Sequence, residues 1–436
     1  MSIERVLRLA GFALLLPLTA FAHDSRVAPA AATVVIDGAT LETITDGRIE
    51  NGRIRIEAGK IVAIGGDEVS LADARVIDAH GKQVYPGFIA AHSVLGLVEV
   101  EAVRATVDQA EVGMNTANVR AEVAVNPDSD LIPVTRANGV LMALTVPQAS
   151  PQSVITGRSA LLRLDGWTWE EMTVRAPVGL HVVWPTLDLP PWLPKEVADT
   201  ARKGIAEKRR ALDLAFEQAR AYGVAERAGK LDVPDLKLAA MQDALQGRSA
   251  VFIHANDVVS IGEALDFAER ESLQVVIVGG QEAWRVADRL HRLQVGVILT
   301  GTHRLPLRRY DALDSSYSAA VKLAEAGVPF VISTAGDSFD TTNLRNLPYQ
   351  AATAVAFGLS REEALKAITL YPAKLFGVAD QYGSLQVGKQ ATLFIANGDP
   401  LEASTSVEAA FIEGREIDLS NRQTRLYEKY RAKYAQ

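Results

Sequence analysis

Histidine and aspartate side chains follow apolar runs of this chain, and these residue types can bind metal ions or move protons. His92 and His254 each end an apolar run, and Asp337 comes shortly after another. Two imidazoles and a carboxylate suit catalytic zinc, which needs only three protein ligands and a water. The same groups can act as general acids and bases. Equally, buried histidines are often hydrogen-bonded core residues, and Asp337 can cap the helix that follows it.

Several other chemistries are excluded by composition and motif. The chain of 436 residues contains no cysteine, which excludes disulfides, thiolate zinc sites and cysteine nucleophiles. No G-x-S-x-G motif is present, and Gly279-Gly280 lacks the remainder of a G-x-G-x-x-G phosphate loop. The net charge of −8, without a basic run, argues against a nucleic-acid partner. We therefore expect a small-molecule substrate or ligand.

The elements that would position these residues are parallel strands alternating with helices. Between residues 81 and 378, apolar runs alternate with helical periodicity, which is typical of an α/β barrel. In such a barrel all strands end at one face, so distant residues converge there. The eight candidate strands are Val84–Ala91, Gly139–Val146, Ser159–Leu164, Gly179–Val183, Ala250–His254, Gln274–Val278, Val295–Leu299 and Val328–Ser333. The charged segment 194–246 is helical, and either a solvated structural helix or a substrate lid fits its composition.

The first 22 residues have the pattern of a secretory signal. Arg5 and Arg8 precede an apolar run, and Ala20-Phe21-Ala22 is an A-x-A cleavage site. Residues 23–32 then form an Ala-rich leader that we expect to be flexible. No later apolar stretch is long enough for a membrane span. This segment alone predicts a periplasmic or secreted protein without a stable membrane span after cleavage.

Three motifs resemble those of one large family. The segment Tyr85–Gly96 reads Y-P-G-F-I-A-A-H-S-V-L-G and is similar to P-G-[LF]-[IV]-D-x-H-x-H. Gly383–Ile395 is similar to G-S-L-x-x-G-K-x-A-D-L, and Ala364–Gly377 carries a matching helix motif. Together these motifs resemble the amidohydrolase superfamily, in its imidazolonepropionase-like members. The resemblance implies a (β/α)8 TIM barrel over residues 81–378. It also implies a small β-sandwich built from residues 33–80 and 379–420, with 421–436 as a C-terminal tail helix.

The family's metal ligands are only partly present. His92 matches the first histidine of H-x-H, but Val94 stands at the second. His254 matches the strand-five histidine, and Asp337 matches the strand-eight aspartate with a two-residue shift. The bridging ligand of strand four and the histidine of strand six are missing. The resemblance therefore implies at most one divalent ion, preferably zinc, bound by His92, His254 and Asp337, or no metal.

The leading hypothesis is an exported hydrolase that acts on carbon–nitrogen bonds of non-peptide amides or cyclic amides. In the family pattern, Asp337 and His254 are the catalytic residues. His303 and Arg304 follow strand seven and are expected to bind the substrate, with Arg304 suited to an anionic group. Two alternatives remain open. One is a non-catalytic binding or scaffold protein that kept the barrel and lost the metal site, and the other is a metal-free hydrolase that uses Asp337 and His254.

Overall fold

The computed structural model describes residues 33–186, 189 and 192–435. The predicted signal and leader, residues 1–32, lie outside the described residues. The strands are β1 Val34–Glu42, β2 Arg48–Glu57, β3 Lys60–Gly65, β4 Arg75–Asp78, β5 Gln83–Pro86, β6 Phe88–Ser93, β7 Val140–Thr145, β8 Ile155–Arg158, β9 Ala160–Arg163, β10 Thr173–Arg175, β11 Gly179–Val183, β12 Ala250–Ala255, β13 Val275–Gly279, β14 Gly296–Thr300, β15 Phe330–Ser333, β16 Leu393–Ala396, β17 Val407–Ile412 and β18 Arg415–Glu416.

The helices follow most of the central strands and surround them. They are α1 Leu131–Arg136, α2 Trp169–Met172, α3 Lys195–Arg227, α4 Leu236–Ala240, α5 Gln242–Leu245, α6 Val258–Glu271, α7 Ala287–Leu293, α8 Ala319–Glu325, α9 Ser338–Thr341, α10 Leu347–Ala356, α11 Arg361–Ala367, α12 Leu370–Leu375 and α13 Arg422–Tyr434. No helix of the described part of the chain is long and apolar enough to cross a membrane.

A β-rich domain joins the two ends of the described chain. Its strands form one sheet in the order β18-β17-β16-β5-β1-β2-β3, with β4 also paired to β1. The key contact is the antiparallel pairing of β5 with β16, in which Tyr85 lies opposite Phe394. In β2 every second residue toward its end is buried, as expected when one face of a strand meets a core. That core takes residues from both ends, including Ile54 and Phe411.

The barrel strands are β6, β7, β9, β11, β12, β13, β14 and β15. They fall into two hydrogen-bonded sheets, β15-β14-β13-β12-β11-β8 and β10-β9-β7-β6. The strands β11 to β15 are mutually parallel, and β6 is parallel to β7. Each predicted run overlaps an observed strand, although the first run divides at Gly87 into β5 and β6. Gly87 has no room for a side chain, because a Cβ there would lie 2.9 Å from Leu141.

The third barrel strand corrects the expectation of an all-parallel barrel. β9 is antiparallel to β7, and β8, just before it, is antiparallel to β11. Between them, Ser159 exchanges backbone hydrogen bonds with Val178 and Gly179, which ties the two sheets together. The reason is connection length. Residues 146–154 separate β7 from β8, and a parallel crossover needs about a dozen residues or more.

The long helix α3 packs on the outside of the barrel. Its second half buries Leu212, Phe216 and Ala219, and the Phe216 ring meets Phe267 of α6 edge-on at 5.1 Å. Its first half is mostly exposed. The described part of segment 194–246 therefore includes a helix that packs on the barrel wall through one face and is solvated on the other.

Candidate active site

Three histidines from three barrel strands meet inside the barrel. His92 lies near the end of β6, His181 in the middle of β11 and His254 near the end of β12. The ring centre of His254 is 5.3 Å from that of His92 and 5.2 Å from that of His181. In the parallel register of β11 and β12, His181 lies opposite Phe252 and stacks on its ring. His254 comes two residues after Phe252, so the alternation of side chains brings it to the same face.

His92 is held so that one ring nitrogen faces the interior without a partner. Its Nδ1 lies 2.9 Å from the backbone carbonyl of Ala335, so Nδ1 carries the proton and donates it. Its Nε2 is then unprotonated and carries a lone pair. This nitrogen is buried and has no hydrogen-bond partner among the described residues. Gly336 permits this contact, because a Cβ there would lie 2.1 Å from Nδ1 of His92, and its φ of +75° suits glycine.

His181 and His254 are joined by a hydrogen bond between their rings. Nδ1 of His181 lies 2.9 Å from Nε2 of His254, so one nitrogen donates and the other accepts. His181 is fully buried, and its Nε2 has no hydrogen-bond partner in the described part of the chain. Burial lowers the pKa of His92 to about 4 and that of His254 to about 3, and it lowers the pKa of His181 strongly as well. All three imidazoles are therefore neutral at pH 7.

Asp337 does not contact the histidines. It is exposed at the start of α9, where its carboxylate accepts a hydrogen bond of 2.8 Å from the backbone N–H of Asp340. This is the helix-capping contact that was left open as an alternative. Its negative charge still opposes part of the lowering of the His92 pKa. The catalytic role of Asp337 stays a prediction.

The predicted substrate-binding pair follows β14. The ring of His303 is fixed by α10: its Nε2 lies 2.6 Å from the Thr353 hydroxyl and its Nδ1 3.1 Å from the Gln350 amide nitrogen. Arg304 makes no salt bridge among residues 33–186, 189 and 192–435, whereas Arg308 pairs with Glu282 at 3.1 Å. The positive charge of Arg304 contributes to lowering the His92 pKa. Arg304 therefore brings a positive charge without an ionic partner close to the histidines.

Two positions explain why the family's other histidines are missing. Val94 is fully buried and belongs to the main apolar core. At the end of β13, a Cβ on Gly279 would lie 2.5 Å from Oδ1 of Asn256, and the φ of Gly279 is +104°. A histidine there would have to displace the Asn256 side chain and would strain the backbone.

The three histidines fit a metal ion in donor type but not in their present hydrogen bonding. In the described residues, no group of three or more His, Cys, Asp or Glu side chains is arranged to hold an ion as it stands. The facing nitrogens of His181 and His254 are instead bonded to each other. The donor type and ring spacing nevertheless fit. Imidazoles on tetrahedral zinc have ring centres about 3.2 Å from the ion and about 5.2 Å from each other, close to the observed 5.2 and 5.3 Å.

His181 is the site residue that sequence reasoning missed. The family pattern predicts a lysine or glutamate at strand four, and this strand carries a histidine in its middle instead. A signal was available: His181 interrupts an otherwise apolar strand two residues before Val183, which lies opposite His254. A polar residue on a fully buried strand needs a partner or a function.

Comparison with known proteins finds similarity to amidohydrolases. Residues 276–417 match the model described as the amidohydrolase family. The imidazolonepropionase of Geobacillus kaustophilus is 25% identical over 392 residues, 80% of this chain and 85% of that protein. The imidazolonepropionase of Flavobacterium psychrophilum is 32% identical over 180 residues, 38% of this chain and 40% of that one. An amidohydrolase structure from Thermotoga maritima matches with a TM-score of 0.77 and 26% identity, covering 88% of this chain and 99% of that one.

These matches confirm the predicted fold class, a (β/α)8 barrel with a small β-rich domain contributed by both chain ends. The match to the Thermotoga structure spans nearly the whole of that chain, and the family model covers the second half of the barrel and the return to the small domain. Over these ranges the chain is similar to amidohydrolases in sequence and in structure.

Proposed function

We propose that this protein is a hydrolase that cleaves carbon–nitrogen bonds in non-peptide amides or cyclic amides. Its family and its imidazolonepropionase relatives support this class of reaction. The observation that carries the proposal is the cluster of three neutral imidazoles inside the barrel, with Nε2 of His92 and of His181 buried and unpaired among the described residues. Buried polar atoms without partners are costly, and folds retain them mainly where a ligand or reaction uses them.

A single divalent ion would suit this cluster once the hydrogen bond between His181 and His254 opens, with zinc preferred for its affinity for imidazole nitrogen. His92 and His254 would hold it, and either His181 or Asp337 would be the third ligand. When bound, such an ion lowers the pKa of a water and polarises a carbonyl group. The carbonyl of Ala335 that accepts from Nδ1 of His92 orients the ring, as is usual for histidine ligands of metals.

The remaining residues of the mouth bind and orient the substrate. The guanidinium of Arg304 would bind a carboxylate or another anionic group with two parallel hydrogen bonds. The ring of His303, fixed between Gln350 and Thr353, would contact the substrate with little loss of side-chain entropy. Asp337, exposed and with a charge that acts on His92, would accept a proton during hydrolysis. We place this reaction in the periplasm or outside the cell, on the strength of the signal pattern in residues 1–22.

A second function is favoured by the loss of ligand positions. Val94 is committed to the apolar core, and Gly279 has no room for a side chain. A protein that binds a small molecule on this barrel without hydrolysing it would need neither position. Both positions concern metal binding. The zinc content of the protein therefore distinguishes the two functions more directly than activity measured on an incomplete set of substrates.

The test measures zinc in the mature protein, purified with chelator and again after zinc loading, together with hydrolysis of a panel of cyclic amides. We expect about one zinc per loaded chain, and less than about 0.1 in His92→Asn. His291→Asn is the matched control, because the Nδ1 of His291 also lies 2.9 Å from a backbone carbonyl but at the surface. His181→Asn and Asp337→Asn identify the third ligand.

The other outcomes point to the other interpretations. Less than about 0.1 zinc in both preparations, without hydrolysis, would replace the hydrolase with the binding protein. Hydrolysis that persists in chelator, and that Asp337→Asn abolishes, would establish the metal-free mechanism instead.

A further inference from the structure

The last helix, α13, has no buried residue. It is 13 residues long, and isolated helices of this length are only marginally stable in water. Local contacts supply part of its stability: Asn421 and Thr424 form a capping box, and Arg431 pairs with Glu428 one turn away. Such contacts contribute about 1 kcal/mol or less each. A helix of this kind is usually stabilised further by a surface on which it lies.

One side of α13 carries an exposed, mostly aromatic stripe. Leu426, Tyr427, Tyr430 and Tyr434 follow one another at helical spacing and therefore share a face. Their exposed fractions are 41%, 64%, 50% and 82%. Contiguous exposed apolar surface of this kind marks an interaction site more often than a solvated face.

A basic row runs beside this stripe. Arg422, Arg425, Lys429 and Lys433 recur every three or four residues, so they line one side of the helix. Glu428 is the acidic residue of α13. The whole chain carries a net charge of −8, so this helix differs in sign from the rest of the molecule. This charge distribution favours an anionic partner that contacts α13 and not the rest of the molecule.

We propose that α13 binds reversibly to the surface of an anionic lipid bilayer. Tyrosine has an apolar ring and a polar hydroxyl, and it prefers the boundary between hydrocarbon and water. Lysine and arginine beside such a stripe bind lipid phosphates, which is the pattern of interfacial helices. The stripe has one aliphatic residue, Leu426, and so lacks the repeated leucine, isoleucine or valine of a helix–helix seam. The acidic remainder of the chain would stay away from the lipid.

The test is co-sedimentation of the full mature chain with vesicles of phosphatidylcholine mixed with phosphatidylglycerol, and with phosphatidylcholine alone. We expect binding to the anionic vesicles that weakens as salt rises. The double variant Lys429→Gln with Lys433→Gln should bind about 30-fold more weakly, at about 1 kcal/mol for each charge. Tyr430→Gln with Tyr434→Gln should weaken binding at least about tenfold while keeping good helix formers in α13.

The matched control is Lys195→Gln with Lys203→Gln, which makes the same charge change at exposed positions of α3. It should bind like the unchanged protein. Equal binding to both vesicle types, or binding that the α13 variants leave unchanged, would overturn the proposal. So would self-association in light scattering that the tyrosine variant abolishes, because a second copy of the chain would then occupy the stripe.

Discussion

Buried polar groups find hydrogen-bond partners to different extents in two regions of this molecule. One is the junction of the two domains, the loop around Lys389 between α12 and β16, and the other is the histidine cluster. At the junction, the ammonium of Lys389 is nearly buried and donates to the carbonyls of Ala379 and Tyr382 and to the hydroxyl of Ser384, at 2.6, 3.3 and 2.7 Å. In the cluster, Nε2 of both His92 and His181 has no hydrogen bond to the described residues. The ammonium of Lys389 is satisfied by three acceptors, whereas the two imidazoles each keep one buried nitrogen without a partner among the described residues.

This difference distinguishes buried polar groups that stabilise the fold from buried polar groups that are available to bind a ligand. A satisfied buried cation fixes the geometry of the loops around it, and removing it leaves carbonyl groups without a donor. An unsatisfied imidazole contributes little to folding and is retained for what it binds. The following predictions test this contrast, from the largest expected effect to the smallest.

Acid should destabilise the metal-free protein through its histidines. The pKa of His92 is about 4 in the folded protein and about 6.5 in the unfolded chain. Between these values the unfolded chain binds the proton and the native protein does not, so the free energy of unfolding falls as pH falls. His92 alone should account for about 3 kcal/mol over the window. Urea unfolding at several pH values, in chelator, measures this dependence.

The control for the acid effect is His92→Asn, which removes one titrating group. Its free energy of unfolding should depend less steeply on pH between 6.5 and 4 than that of the unchanged protein. An identical slope in the two proteins would mean that His92 is not buried in neutral form.

Lys389→Met should lower the free energy of unfolding by about 2 kcal/mol, because three acceptors lose a charged donor. Lys60→Met is the matched control, since Lys60 is exposed at the start of β3 and should change stability by less than about 0.5 kcal/mol. Urea unfolding compares the two. A stability loss no larger at Lys389 than at Lys60 would contradict the structural role of the junction.

Asp337→Ala should affect mainly the start of α9, because it removes the acceptor for the backbone N–H of Asp340. The expected cost is about 1 kcal/mol, equivalent to roughly fivefold faster hydrogen exchange at the Asp340 amide. Asp337→Asn keeps a capping side chain and should exchange normally. If Asp337 also acts as a base, Asp337→Asn loses hydrolysis without losing the cap.

His181→Leu should change the free energy of unfolding by about 1 kcal/mol or less, because removing the unpaired Nε2 of His181 offsets part of the loss of its hydrogen bond to His254. Chemical unfolding in chelator measures it, with zinc content as the second measurement. A loss as large as that of Lys389→Met would show that His181 is structural and would remove the contrast between the two regions.

The fold could be largely predicted from the sequence, because buried strands are apolar along their whole length and the two ends carry specific motifs. The spacing of Ser360 and Glu363 is also a capping sequence that predicts the start of a helix, and Ser360 does cap α11, where it accepts from the N–H of Glu363. Strand direction could not be predicted in the same way, since an apolar run is the same in either direction. The short connection before β8 was the available signal for its antiparallel course.

The candidate site was less predictable, because it depends on which face each side chain takes. His92 and His254 were expected together and do lie together, with ring centres 5.3 Å apart. Asp337 lies two residues beyond the expected position, and this shift places it on the cap of α9 instead of beside the rings. His181 was not predicted, because it occupies the middle of its strand and the barrel pattern places functional residues at strand ends.

The pairing of β5 with β16 has a consequence for how the protein is made. The backbone of Tyr85 cannot pair with that of Phe394 until Phe394 has been synthesised. One strand edge of the small domain therefore stays unpaired while about 300 further residues are added. An open strand edge can pair with another unfinished chain. Nascent molecules of this protein should therefore depend on chaperones until the final strands emerge, and truncation before β16 should give aggregates instead of a free barrel.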